Sequence, residues 1–286
     1  MDSNKSKIIS TKLFKLSSGF SIPAIGLGTY QIKSQESIDE AVSSAWEAGY
    51  RHIDSAVCYR NEHLIGRALK KYNIPRDEVF LTTKIPPNGM TYQMATELLN
   101  QSLKNFDTNY IDLYLIHWPE AKSVEDRLGV WQALEEAVQS GKVRSIGLSN
   151  FLPVHLKTIL DNCKIKPAVN QFELHPLFID KETIEMCNKE GILIEAYSTF
   201  ARMDPKLIKS SVLKEINEKY NKPPTVVLVR WAVQHGWVIL PKSVSRKRIF
   251  ENIDVDDFSL TDNDLAALDS LNCNYKVAWD PTRIDF

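Results

Sequence analysis

From Ala24 onward, short apolar segments alternate with stretches whose apolar residues recur at helical spacing, and the cycle repeats until the chain is nearly spent. The apolar segments are Ala24 to Leu27, RHIDS, VFLTTK, YIDLYLIHW, VRSIGLS, AVNQF, ILIEAYS and WVILPKS. Between them lie the stripe Ile38, Val42, Ala45 and Trp46, stopped by Gly49, and a helix from Asn61 to Tyr72. Leu99, Leu103 and Phe106 mark the next helix. Leu128, Trp131, Leu134 and Val138 mark another, with Ser123 and Asp126 as a capping box at its start. Helices follow Pro153 and run from Asp180 to Glu190 and from Ser211 to Asn221. PTVVLVRWAVQHG fits a β-branched strand as well as a buried helix. Taken as a helix, it leaves WVILPKS as the eighth strand, with helices at 246–253 and 261–271 behind it.

Strands that are apolar along nearly their whole length need a sheet covered on both faces, and amphipathic helices between them supply the cover. Such a sheet is open and doubly wound, or closed. Gly26-Leu27-Gly28 begins the glycine fingerprint of the open dinucleotide-binding fold, but its third position is Gln31. Closure is the better expectation: an α/β protein, a (β/α)8 TIM barrel. The segment TKLFKLSSGFSIP, turning at Ser17-Ser18-Gly19, adds an N-terminal β-hairpin, and the last segments add extra C-terminal helices. No repeat or Gly/Ser/Pro-rich linker divides the 286 residues, which read as one domain over 1–286.

Charge narrows the partners. Lys plus Arg total 35 against 36 acids, so no overall field recruits nucleic acid or an anionic membrane. Cys58, Cys163, Cys187 and Cys273 are far apart and form no metal-ligand spacing, and free thiols belong to a reducing compartment. The start MDSNKSK has no apolar stretch behind it, and no run approaches the roughly 18 residues of a membrane span. The expectation is a cytoplasmic monomer whose partner is a small molecule, with no metal.

In a parallel barrel all strand C-termini open on one face, where such folds place reactive groups. The predicted ends carry Thr29 and Tyr30, Asp54 with Tyr59 on the following turn, Lys84, His117 with Trp118, Ser149 with Asn150, Gln171, Tyr197 with Ser198, and Lys242 with Ser243. Each has a bland explanation by itself: a capping carboxylate, a satisfied core histidine, a glutamine bonded to a loop. Convergence of the whole set makes one composite site the stronger reading. A free tyrosine titrates near ~10, and a neighbouring ammonium lowers that. Lys84 could thus make Tyr59 a proton donor, with Asp54 pairing the buried lysine and His117 orienting a substrate oxygen. Protonating an oxygen leaves an electron pair to be supplied from elsewhere.

Asp54, Tyr59, Lys84 and His117, within GYRHIDSAVCYRNE, VFLTTK and LYLIHWP, resemble the catalytic tetrad of the aldo-keto reductases. GKVRSIGLSNF at 141–151 and ILPKSVSRKRIFENI at 239–253 resemble two further signatures of that family, and the likeness runs from about Phe14 to Leu271. In type the chain resembles the short members that include prostaglandin F synthases and 2,5-diketo-D-gluconate reductases. The resemblance implies NADPH-dependent reduction of aldehydes or ketones to alcohols, with Tyr59 as general acid. It implies that Ser149, Asn150 and Gln171 hold the nicotinamide carboxamide of NADPH or NADP+, that Tyr197 stacks on its ring, that Ser198 contacts the pyrophosphate, and that Thr29 is a further cofactor contact. Lys242, Ser243, Arg248, Glu251 and Asn252 would meet the adenosine half, Lys and Arg suiting its 2′-phosphate. Tyr30, Pro86, Trp118 and Trp279 would line the substrate pocket, although Trp279 can equally pack the tail onto the barrel. Two rival functions are an NADPH-binding regulatory barrel subunit with little turnover and a barrel lyase or isomerase that uses the late basic cluster to hold a phosphorylated substrate.

Overall fold

A computed structural model describes residues 10–87 and 90–284. The hairpin is present: β1 (Leu13–Lys15) pairs antiparallel with β2 (Ser21–Pro23), and Gly19, at φ 88°, makes the turn. The alternation then unfolds as β3 (Leu27–Gly28), α1 (Gln35–Ala48), β4 (His52–Asp54), α2 (Glu62–Lys71), β5 (Phe80–Ile85) and α3 (Tyr92–Phe106). It continues through β6 (Ile111–Ile116), α4 (Val124–Gln139), β7 (Val143–Ser149), α5 (Pro153–Leu160), β8 (Val169–Glu173), α6 (Lys181–Glu190) and β9 (Leu193–Tyr197). After β9 come the short α7 (Pro205–Ile208), then α8 (Ser211–Tyr220), α9 (Pro224–Gln234), β10 (Val238–Ile239), α10 (Arg246–Ile253) and α11 (Asp262–Asp269). The ambiguous segment at 224–236 is thus helical, with Pro224 in its first turn and every residue from Val226 to Val233 buried. The turn α7 was not expected.

β3 to β10 form one parallel eight-stranded sheet in chain order. Its two edges meet through parallel bridges between Ile25 and Ile239 and between Gly28 and Lys242, with Gly26 N donating to Ile239 O at 2.8 Å and Ile239 N to Ala24 O at 2.9 Å. Closure explains the two glycines that imitate a nucleotide fingerprint. A Cβ on Gly28 would stand 2.8 Å from Leu240 O, and one on Gly26 would stand 2.5 Å from His52 Nδ1. They are glycines because the first strand packs tightly against its neighbours. Every residue of β5 and β6 is buried, as a sheet covered on both faces requires. The helix starts follow local capping chemistry: Ser34 accepts from Ser37 N at 3.2 Å, and Ser123 accepts from Asp126 N at 3.1 Å. No helix of the described residues is long and apolar enough to cross a membrane.

Candidate active site

The motif at 49–62 divides into chemistry and scaffold. Asp54 ends β4, and a 3-10 turn over Val57–Tyr59, closed by Arg60 at φ 58°, swings Tyr59 toward the mouth of the barrel. Asn61 and Glu62 hold that turn. Asn61 Nδ2 donates to the carbonyls of Thr29 (2.9 Å) and Ile32 (3.0 Å), and its Oδ1 accepts from Ser55 Oγ. Glu62 accepts from Thr83 Oγ1 and Asn105 Nδ2, tying the start of α2 to β5 and α3.

Behind Tyr59 lies a buried ion pair. Lys84 Nζ donates to both oxygens of Asp54 at 2.7 Å and to Ser55 O at 2.8 Å, which uses all three of its hydrogens. Burial pushes the Asp54 carboxyl up, while Lys84 and Gln171 pull it back. The expected lowering of Tyr59 by Lys84 is absent in the ligand-free chain. Burial first, and then the Asp54 charge, raise the phenol well above its ordinary value. The reason is that Lys84 sits 5.2 Å from the Tyr59 ring centre with its charge already matched by Asp54. Tyr59 is therefore a fully protonated phenol at neutral pH.

His117 follows β6 and meets Tyr59 edge-on at 5.8 Å between ring centres. Burial, and next the Lys84 charge, push its pKa down to about 3, so the imidazole is neutral. Cys58 Sγ lies 3.5 Å from His117 Nδ1. Burial raises the Cys58 thiol, which keeps its hydrogen and can donate it there, leaving the hydrogen of the imidazole on Nε2. Neighbouring strand ends add Asn150, in a left-handed conformation at φ 63°, whose Nδ2 donates to His117 O and whose Oδ1 accepts from Tyr197 OH at 2.7 Å.

These groups wall a cleft of about 620 Å³. Of the residues expected from sequence, it brings together Tyr30, Asp54, Tyr59, His117, Trp118, Asn150, Gln171, Tyr197, Ser198, Lys242 and Trp279. Lys84 reaches it only through Asp54. Thr29 does not: its side chain is buried and its hydroxyl donates to Asp54 O at 2.8 Å. Ser149 is also buried, holding Asn150 Nδ2, and Pro86 stands outside the lining. Ser243, Arg248, Glu251 and Asn252 lie beyond the lining, on α10 and the turn before it. There Arg246 pairs with Glu47 and Lys247 with Glu251 at 3.7 Å, whereas neither Lys242 nor Arg248 has an ion-pair partner among the described residues. The cleft fits a nicotinamide nucleotide by its donor set: an aromatic and amide-lined end near Gln171 and Tyr197, and the Lys242 ammonium in its wall, with Arg248 beyond the lining on α10.

Sequence reading missed Cys58, Glu195 and the wall from Thr199 to Met203. Glu195 had a visible signal, a charged residue inside the apolar run ILIEAYS. The wall had none, because its Arg202 and Met203 are ordinary residues held at φ 51° and 62°. Trp279, 70 % exposed, meets Trp118 edge-on at 5.6 Å and lines the cleft, so the tail both packs on the barrel and reaches the mouth.

Residues 24–273 match the model of the Aldo/keto reductase family. The chain is 41% identical over 261 residues to a 9,11-endoperoxide prostaglandin H2 reductase of Trypanosoma cruzi, covering 91% of each. It is 39% identical over 272 residues to a glyoxal reductase of Bacillus subtilis, covering 95% of this chain and 97% of that one. The crystal structure of an aldo-keto reductase from a Medee basin deep-sea metagenome library superimposes with a TM-score of 0.90 at 37% identity, over 96% of this chain and 100% of that one. A family match across most of the chain, on a closed parallel sheet that gathers an acid, a lysine, a phenol and a neutral imidazole at one mouth, establishes that this chain belongs to the aldo/keto reductase family of carbonyl-reducing oxidoreductases.

Proposed function

We propose that this chain, a single barrel domain over residues 1–286, reduces aldehydes or ketones to alcohols with NADPH, and that Tyr59 is the proton donor. The observation that carries the reading is the pairing of Tyr59 and His117 in one cleft, backed by an Asp54–Lys84 ion pair that cancels its own charge. When bound, the nicotinamide cofactor supplies the hydride for the carbonyl carbon. The chain's own residues do the rest. His117 Nε2, carrying its hydrogen, donates to the carbonyl oxygen and holds it beside the Tyr59 hydroxyl. Tyr59 passes its proton to that oxygen as negative charge develops there. A phenol raised above its ordinary value gives up no proton until the substrate oxygen demands one.

Asn150, Gln171 and Tyr197 would hold the nicotinamide end and Ser198 the pyrophosphate, with Thr29 and Ser149 supporting them from behind. Lys242 and Arg248 would take the adenosine 2′-phosphate, with Ser243, Glu251 and Asn252 alongside, so that NADPH is preferred over NADH. Tyr30, Trp118 and Trp279 face the substrate, with Pro86 behind them. The test follows NADPH absorbance with a panel of aldehydes and ketones for wild type and Tyr59→Phe. Wild type should turn over, and the variant should lose at least ~100-fold in kcat while binding NADPH unchanged. NADPH consumption by Tyr59→Phe at the wild-type rate would remove Tyr59 from its role.

A further inference from the structure

Glu195, in the middle of an apolar strand, is fully buried inside the barrel, and the centre described above leaves it no task. Its Oε2 accepts from Gln171 Nε2 at 2.7 Å, and the same nitrogen donates to Asp54 Oδ2 at 3.0 Å. A primary amide has two N–H hydrogens and one carbonyl. Both hydrogens of Gln171 are thus taken by carboxyls, its Oε1 is left over, and Gln171 is a wall of the cleft. Without Glu195 the amide would be held only by Asp54, through one of its two hydrogens.

Two carboxyls therefore share one amide, on unequal terms. Asp54 has the Lys84 ammonium against both oxygens. Glu195 has no such cation against its oxygens among the described residues: Lys84 lowers it only from a distance, and His52, whose Nε2 is 3.7 Å from its Oε1, is pushed down to about 3 by burial and then by the Lys84 charge. The groups facing Glu195 are accordingly His52 and Asp54 from β4, Lys84 from β5, Gln171 from β8 and the apolar Val238 from β10. A second anion here would leave two negative charges against one ammonium. Burial and the Asp54 charge push Glu195 up to about 8, and at neutral pH it keeps its proton.

We propose that Glu195 is a positioning residue of this centre, orienting the Gln171 amide from behind the cleft wall, and that its proton is linked to the charge of the nicotinamide ring that Gln171 faces. This rests on the cleft being the nicotinamide site. An oxidised ring is cationic and a reduced ring is not. A cation near Gln171 favours the Glu195 carboxylate, and by reciprocity the carboxylate favours the oxidised cofactor.

Full-length wild type, Glu195→Gln and Glu195→Met are titrated with NADP+ and NADPH by protein fluorescence across the pH at which Glu195 ionises. In wild type the affinity ratio should move toward NADP+ by roughly tenfold as pH rises through that range, the scale of one charge pair inside a protein. Glu195→Gln, which still accepts from Gln171 but does not ionise, should bind both forms as wild type does at low pH and show no shift. Glu195→Met should weaken both forms several-fold. Infrared difference spectra of the unliganded proteins should show a protonated-carboxyl band that wild type loses over the same pH range and that Glu195→Gln lacks. A wild-type ratio independent of pH, the same shift in Glu195→Gln, a titrating band that survives in Glu195→Gln, or wild-type binding by Glu195→Met would each overturn the proposal. Failure of wild type to bind either nucleotide would overturn the reductase reading and the linkage with it. The infrared comparison, made without ligand, distinguishes that outcome from a Glu195 that holds no proton.

Discussion

At the residue scale, neighbours assign states that residue identity leaves open. His117 could carry its hydrogen on either nitrogen. Cys58, one position before Tyr59, has its Sγ 3.5 Å from Nδ1, and its thiol, which burial keeps protonated, can donate there and so leave the hydrogen on Nε2. Cys58→Val keeps similar bulk but donates nothing. It should lower kcat/KM for carbonyl reduction by roughly fivefold, the worth of one modest hydrogen bond, and leave NADPH affinity as it was. Steady-state kinetics and a fluorescence titration check this, and an unchanged kcat/KM would free His117 from Cys58. The acid and phenol at 54 and 59 were legible as a pair on a turn after a strand, and gained weight as candidates only beside Lys84 and His117 at neighbouring strand ends. The Asn61–Glu62 pair was not legible as scaffold, because its partners Thr29, Ile32, Thr83 and Asn105 come from distant parts of the chain.

At the scale of elements, helical spacing marked most helices to within a residue or two, since each buries one stripe against the barrel. What spacing does not show is how closely two helices approach. Gly66 in α2 faces the end of α3, where an added Cβ would come within 2.6 Å of Asn105 O and 2.9 Å of the Phe106 backbone. Backbone cannot rotate away as a side chain can. Gly66→Ala should therefore destabilise the protein by about 1–3 kcal/mol despite its higher helix propensity, which chemical denaturation measures. A neutral or stabilising result would mean that α2 and α3 separate easily. The segment at 224–234 shows the complementary limit. A run buried all round carries no stripe, and β-branched residues inside it fit a helix or a strand until β10 claims the place beside β9.

For the whole molecule, ionisable groups buried in the barrel shape how stability varies with pH. His52 and His117 are pushed down to about 3, so the fold keeps them neutral while the unfolded chain takes up protons below its ordinary histidine range near ~6.5. Their contribution is present above that range and is lost as pH falls. Glu195 is pushed up to about 8 and behaves oppositely: the fold retains a proton that the unfolded chain releases above its ordinary carboxyl range near ~4.3. Its contribution is present below that range and is lost as pH rises to about 8. His52 and His117, joined by His155, which burial also pushes down, outweigh the buried carboxyls on the acid side. Above that range Glu195 and Asp54, both pushed up by burial, act in the opposite direction. Stability should peak near pH ~6.5 and then decline by up to about 2 kcal/mol by pH 8. Glu195→Gln should diminish the decline and leave the acid side in place. Urea denaturation at stepped pH values reads both, and an undiminished decline in the variant would assign it to another group.

The sequence by itself determined the alternation, the buried sheet, the hairpin and the list of polar strand ends, because period and turn chemistry are local properties of the chain. From that list it also singled out Asp54, Tyr59, Lys84 and His117 as candidates for one site, since parallel strands put all their C-termini on one face. Only the tertiary structure decided which members share a cleft. It took Thr29 and Ser149 out of the wall by pairing them with neighbours, exchanged the expected lowering of Tyr59 for a rise, and set Glu195 three hydrogen bonds from Lys84 by way of Gln171 and Asp54. The physical reason is common to all of these. Charge state and hydrogen-bond direction depend on which groups meet in a water-free interior, and residues 24 to 240 meet there only when the first strand closes on the last.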